Sequence, residues 1–329
     1  MFVMVKKMKK FIIISFLFAL IFSSCEKTII IEIPDNGRKL VLNSLFSNDS
    51  VLSLSLIKSK YILDNSYNDN YRYEYDSISN AKVSLFAGDQ FIEQLNEVSK
   101  GKYQSNYIMK SGVNYKIKVE AEGFPELSAE SQIPEKTDIL NLDVYETRDE
   151  EGYETTGFTL RFKDNPDETN YYLIEAFERV TRRDVDWETG TDTIISYINS
   201  LYVYSSDPNT ISDDWGLSNG ILVNDEILNG QDYFLKFFAY SSSYYYYDEY
   251  GNYVPDENVI SINYIVYLNS VSEDYYLYYK SLSKHLIAQD EFFMEPVQVY
   301  TNIENGFGIF AGYSTDVDSV VLENNQSPL

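Results

Sequence analysis

From Val51 to Leu56 the chain reads VLSLSL, with leucine at every second position and serine between. A period of two places the leucines on one face of an extended segment, so this stretch predicts a half-buried strand. Tyr115 to Ala121, YKIKVEA, alternates in the same way. Apolar runs at 39–46, 81–86, 91–95 and 127–133 read as further strands, and another begins at Gly101-Lys102-Tyr103. Turn residues separate them: Ala87-Gly88-Asp89-Gln90, Ser111-Gly112 and Gly123-Phe124-Pro125. Strands that recur about every ten residues without a helical period between them predict an antiparallel β-sandwich.

Pro134-Glu135-Lys136 marks a boundary. Beyond it, Ile139–Tyr145, Phe158–Phe162, Tyr171–Phe177, Thr193–Tyr204, Ile221–Val223, Tyr233–Tyr240 and Val259–Leu268 read as strands. One segment follows a different period. Ser270-Val271-Ser272-Glu273 has the S-x-x-E spacing of a capping box. Tyr275, Tyr279, Leu282 and Leu286 then recur at intervals of four, three and four, the stripe of an amphipathic helix over 271–289. His285 lies beside that stripe and is assigned a structural role. After Pro296, strands at 297–302 and 308–313 are expected around an Asn305-Gly306 hairpin turn. The expected fold is all-β. An N-terminal sandwich of immunoglobulin or transthyretin type occupies 39–135. A second β-sandwich domain over 136–329 carries the one helix.

The first residues have another layout. Lys6, Lys7, Lys9 and Lys10 precede a twelve-residue run, FIIISFLFALIF, which ends at Phe22 and is followed by Ser23, Ser24 and Cys25. Positive, apolar and small in that order is the pattern of a secretory signal, and the run is shorter than the ~20 apolar residues of a spanning helix. Cys25 is the one cysteine of the chain. Phe22-Ser23-Ser24-Cys25 resembles the lipobox of bacterial lipoproteins, with Phe22 where that motif usually has leucine. The resemblance implies a leader over 1–24, removed before Cys25, acyl chains such as palmitate on Cys25, and a tether over 25–38. Each buried methylene contributes about 0.8 kcal/mol, so two or three chains hold a protein firmly to a membrane.

Charge could not do that work. The chain has 26 basic and 51 acidic residues. Without 1–24 it would hold 22 against 51, a net charge of −29, which repels anionic lipid. The same acidity argues against nucleic acid as a partner, because phosphate contacts need clustered Lys and Arg. A single cysteine and a single histidine exclude disulfides, thiolate zinc sites and histidine-rich metal centres.

Three stretches together resemble one known family. They are Cys25-Glu26-Lys27 with Ile33-Pro34 and 39–46, then "YKIKVEAEGFPELSAESQIP" over 115–134, and Asn302 to Phe310 after the tyrosine-rich helix. They look like the Bacteroidota lipoproteins grouped as domain of unknown function 4249. That resemblance implies an outer-membrane lipoprotein working beside a TonB-dependent receptor, on either face of the outer membrane. It implies no catalytic residues.

The unusual count is tyrosine, 31 against 19 phenylalanines and 2 tryptophans. Tyrosine suits strands, and it also suits binding surfaces, where a stiff ring carries a polar tip. Ser241–Tyr253, "SSSYYYYDEYGNY", is expected to be a hairpin loop. Its Tyr244, Tyr245, Tyr246, Tyr247, Tyr250 and Tyr253 are ligand-binding candidates for a sugar face or a peptide, or else they cover the strand ends. Tyr67 and Tyr71 in the loop 64–76 are a second pair, beside Tyr73 and Tyr75. That loop's Asp64, Asp69, Glu74 and Asp76 could hold calcium, but no EF-hand spacing is present, a solvated acidic loop is the plainer reading, and no cofactor is expected. Asp213-Asp214-Trp215 and Asp248-Glu249 are weaker again. Carboxylate pairs for glycoside hydrolysis carry no signal in so acidic a chain unless a cleft collects them. The expectation is therefore a non-enzymatic envelope lipoprotein that captures a ligand or assists a TonB-dependent transporter. A structural or adhesive surface protein is the alternative, and a carbohydrate-active enzyme is third.

Overall fold

The computed structural model describes residues 37–61, 75–149, 152–186, 188–212, 219–225, 230–240, 245–247, 250, 253–290 and 294–323. Residues 38–329 group as one compact unit. The protein is all-β with one helix among the described residues.

The first half supplies β1 (Leu40–Ser47), β2 (Val51–Lys58), β3 (Lys82–Ala87) and β4 (Gln90–Gln94). β5 (Asn96–Ser99), β6 (Lys102–Ile108), β7 (Asn114–Glu120) and β8 (Leu127–Gln132) follow. The second half supplies β9 (Ile139–Arg148), β10 (Glu154–Lys163), β11 (Tyr171–Val185), β12 (Asp192–Leu201), β13 (Val203–Tyr204), β14 (Thr210–Ser212) and β15 (Ile221–Asn224). It continues with β16 (Asp232–Ala239), β17 (Tyr245–Tyr247), β18 (Tyr253–Pro255), β19 (Val259–Val271), α1 (Glu273–Asp290) and β20 (Gly306–Glu323).

A large sheet runs β14-β15-β11-β19-β20-β1-β2-β6-β5, with β12 also paired to β11. Two smaller sheets pack against it: β4-β3-β7-β8 and β13-β16-β10-β9. Each pairing of layers encloses a core. The first core contains Leu42, Leu54, Leu56, Val83, Tyr103, Tyr115 and Ile117, and the second contains Phe158, Phe162, Tyr172, Ile174, Leu235, Phe237 and Tyr264. The sequence boundary at 134–136 falls between these cores. The large sheet nevertheless crosses it without a break, because β20 returns to the first half.

β20 is the strand that joins the halves. Its residues 306–313 pair in parallel with β1, from Leu40↔Gly306 to Ser47↔Tyr313. Its residues 313–323 pair antiparallel with β19, from Val271↔Tyr313 to Ser261↔Glu323. The period of two does the rest. Even-numbered Phe310 enters the first core, and Val320 and Leu322 pack on the second. Odd-numbered Ile309, Ala311 and Tyr313 face the other side, where α1 lies against Leu173, Leu222 and Val271.

Three expectations need correction. The expected strand at 297–302 is extended chain outside any ladder, and the closing region is one long strand, β20. Side chains stand in for the missing ladder beside it. Asn302 Nδ2 donates to the Phe310 carbonyl (2.7 Å), Asn302 Oδ1 accepts from the Phe310 N–H (3.1 Å), and Thr301 Oγ1 donates to the Gly308 carbonyl (2.8 Å). The helix also starts two residues later than the Ser270 capping box predicts. β19 stays paired through Val271, so Ser270 is still strand, and its hydroxyl accepts from the Thr137 N–H (3.1 Å). Ser272 is the cap, its Oγ accepting from the Tyr275 N–H (3.3 Å). Finally, the buried face of α1 includes Tyr276 beside Tyr275, with Leu282 and Leu286 only half-buried. Tyr276 is taken up by Tyr171, whose ring stacks on it at 4.7 Å. His285 Nδ1 donates to the Val297 carbonyl (2.6 Å), which leaves Nε2 to accept from Gln289 Nε2 (2.8 Å) and ties the helix end to the extended chain.

Candidate functional site

Each of β9, β10 and β16 alternates, so one set of side chains enters the second core and the other faces out. In β16, Leu235, Phe237 and Ala239 are buried, while Phe234 and Lys236 are exposed and Phe238 is half-buried. Cross-strand register then builds a row across the whole outer face. Tyr204 pairs with Phe238, Phe238 with Gly157, and Gly157 with Tyr145. The row is thus aromatic, aromatic, glycine, aromatic.

The glycine allows the row to close. The Tyr145 ring lies over Gly157, in the space a side chain there would occupy. At the other end, Tyr204 stacks on Phe238 with ring centroids 5.7 Å apart, and Tyr240 meets both rings edge-on, at 5.9 Å and 6.0 Å. These are favourable aromatic geometries, worth about 0.5–1.5 kcal/mol per pair beyond burial. The Tyr240 hydroxyl donates to Asp149 Oδ2 (2.7 Å), and Asp149 Oδ1 accepts from the Tyr153 N–H (2.8 Å). Ring and loop hold one another in place.

Together they form an open cleft of about 590 Å³. Tyr145, Tyr204, Phe238 and Tyr240 provide its apolar surface, and Arg148, Asp149, Ser205 and Lys236 its polar border. Ser205 Oγ donates to the Lys236 carbonyl (2.8 Å), and Arg148 pairs with Glu154 (3.1 Å). In the floor, the Thr155 hydroxyl is buried and has no hydrogen-bond partner among the described residues. Tyr145 and Tyr240 are 41% and 50% exposed, so ring faces and edges remain open to solvent. Such a surface can stack on a flat ligand and hydrogen-bond its edge.

The expected loop candidates fare unevenly. Cys25, Tyr67, Tyr71 and Tyr244 lie outside the described residues, as do Asp64, Asp69, Glu74, Asp213-Asp214-Trp215 and Asp248-Glu249. The segment after Tyr240 does form a hairpin, with Tyr245↔Pro255, Tyr246↔Val254 and Tyr247↔Tyr253 paired, but the side chains of Tyr245, Tyr246, Tyr247 and Tyr253 are not described. Tyr250 is 81% exposed. Of the acidic loop, Asp76 pairs with Lys58 at 3.1 Å, and Tyr75 is exposed. The structure thus places a platform on residues that the sequence pattern assigned to ordinary strands. The available signal was the alternation in β16, but aromatic residues on both of its faces masked it.

A comparison with curated proteins returned no match. A family model described as a domain of unknown function matches residues 26–319, most of the chain. The protein therefore belongs to that family, DUF4249.

Proposed function

We propose that this protein is a lipid-anchored protein of the cell envelope that captures a ligand without chemistry and works with a TonB-dependent outer-membrane transporter. The observation that carries the capture role is the row Tyr204–Phe238–Gly157–Tyr145, closed by Tyr240 over an open cleft of about 590 Å³. Exposed ring faces bordered by Arg148, Asp149, Ser205 and Lys236 suit a ligand with flat apolar faces and a hydroxylated rim, and an oligosaccharide is the class that fits. The anchor reading rests on Lys6–Lys10, the apolar run to Phe22 and Cys25; the transporter role rests on the family resemblance.

Two experiments test this. Screening the protein against a glycan array, followed by calorimetry on any hit, should give binding that falls at least tenfold in Phe238→Ala and Tyr204→Ala with the circular dichroism spectrum unchanged. Glycan binding indifferent to both substitutions would remove the platform from the account. Purification of the native lipoprotein from detergent-solubilised membranes should bring down a β-barrel receptor, and mass spectrometry should find Cys25 acylated. Recovery of the protein alone, or a bare Cys25, counts against the transporter role or the anchor respectively.

A further inference from the structure

A second cleft opens on the outer face of the large sheet, the side turned away from the second core, at the point where β20 changes partners. β1 ends at Ser47, opposite Tyr313, and its turn to β2 carries Asn48 and Asp49 away. Beyond that point the outward side chains of β11, β19 and β20 are bounded by the turn on one side and α1 on the other. The space is about 520 Å³.

Its floor is a directed chain of hydrogen bonds. Thr315 Oγ1 donates to Asn269 Oδ1 (2.6 Å), and Asn269 Nδ2 donates to Glu175 Oε2 (3.0 Å). Because Asn269 also donates to the Leu173 carbonyl (3.2 Å), its amide is fixed and presents its N–H to the carboxyl. Among the described residues Asn269 is the one hydrogen-bond donor to Glu175, and no lysine, arginine or histidine lines the cleft.

Aromatic rings flank this row on both sides. Tyr267, two residues before Asn269 on β19, meets Phe177 edge-on at 5.4 Å. Tyr313, two residues before Thr315 on the antiparallel β20, meets Tyr275 at 6.1 Å. Tyr275 in turn stacks on Tyr279 at 4.7 Å, which holds it in place. A half-buried carboxyl with one neutral donor, set between ring pairs, lacks a positive charge.

We propose that this cleft is a second ligand site, separate from the outer aromatic platform, and that it takes an organic cation: an amine or quaternary ammonium group seated against Glu175 between the two ring pairs. Ring faces attract such cations, by about 0.5–2 kcal/mol each and more strongly away from water. A divalent metal ion is the poorer fit, since it needs several oxygen ligands, and no group of three acidic, histidine or cysteine side chains arranged for one exists among the described residues. The charge of the molecule favours the approach of cations in general.

Proton linkage follows from the same geometry. Burial pushes the Glu175 carboxyl above its ordinary range, against the single hydrogen bond from Asn269. The other titratable groups facing it are Asp49 on the turn, Tyr267 on β19, Tyr275 and Tyr279 on α1, and Tyr313 on β20. Burial pushes the Tyr275 and Tyr279 phenols above their ordinary value, so neither competes for the charge. A cation must displace the Glu175 proton, so affinity should rise with pH through the carboxyl's raised range and then level off.

The test uses the full-length protein in detergent, titrated with choline chloride and with 3,3-dimethylbutanol, its uncharged carbon analogue. Saturable choline binding is expected at pH 8, weaker at pH 5, with the neutral analogue at least tenfold weaker. Glu175→Gln retains the acceptor for Asn269 and should keep the fold, while lowering choline affinity about tenfold and abolishing its pH dependence. Phe177→Leu should weaken choline alone and leave the pH dependence in place; if Glu175→Gln does not fold, this variant is the readout. Equal binding of choline and the alcohol, no saturation at pH 8, or choline binding unchanged in the variants would overturn the proposal. Loss of glycan binding at the other face would not bear on it.

Discussion

Tyr145 and Gly157 face one another across β9 and β10, so closely that a Cβ at residue 157 would lie 2.5 Å from Tyr145 Cε2. The outer platform depends on that pair, because the tyrosine can lie flat only where its neighbour has no side chain. Gly157 does not have a left-handed backbone, so alanine is conformationally acceptable there. Gly157→Ala should therefore leave unfolding free energy within about 1 kcal/mol of the parent, since the ring is the free end of a side chain and can swing away. It should still displace Tyr145, with changed ring chemical shifts and reduced glycan affinity. A loss of several kcal/mol in urea unfolding would show that the ring has nowhere to go.

The first core relies on a strand from the far end of the chain. Phe310 is fully buried and packs on Phe46 with ring centroids 4.5 Å apart. Phe310→Ala should cost about 3–5 kcal/mol, the usual range for deleting a buried ring. Residues 38–135 expressed alone, without β20, should fail to fold cooperatively, and a peptide of residues 306–323 added in trans should restore dispersed amide resonances. A well-folded 38–135 fragment would contradict this.

Asp164 and Tyr172 form a buried pair in the second core. The Tyr172 hydroxyl donates to Asp164 Oδ1 (2.6 Å), and the Gly230 N–H donates to Oδ2 (2.8 Å). Burial, reinforced by the carboxylate, pushes the phenol far above its ordinary value of 10.0. Asp164→Ala strands both donors and should destabilise by about 2–4 kcal/mol, whereas Tyr172→Phe removes one donor from a carboxylate that keeps another and should cost about 1–2 kcal/mol. Thermal melts of the two variants should fall in that order.

Asp316 ties β20 to the connection between the cores. Its Oδ1 accepts from Lys136 Nζ (2.8 Å) and its Oδ2 from the Ile139 N–H (2.8 Å). Burial alone would raise the carboxyl, but the lysine and the backbone bond outweigh it and hold it below its ordinary value of 3.8. A carboxyl depressed in the folded state contributes stability that is complete above the unfolded value and lost as pH falls through the folded one. Asp316→Asn should thus be less stable than the parent at pH 7, with the difference shrinking below about pH 3.8. Urea unfolding at several pH values measures this; a constant difference would mean the bond does not titrate.

The sequence by itself determined the local elements, because strand and helix periods are set by neighbours within a few residues. VLSLSL became β2, YKIKVEA became β7, and the stripe from Tyr275 became α1. The family resemblance was legible too, in three short stretches, at 25–46, 115–134 and 302–310. Only the tertiary structure decided which strands meet. No local pattern announces that Leu40 pairs with Gly306, since the pairing is between backbones and any two alternating strands satisfy it. The helix start was settled in the same way, by β19 staying paired to Tyr171 and Tyr313 past the predicted cap. Both clefts belong to this second class. Tyr204 and Phe238 lie 59 and 93 residues beyond Tyr145 in the sequence, and only strand register brings the three into one row.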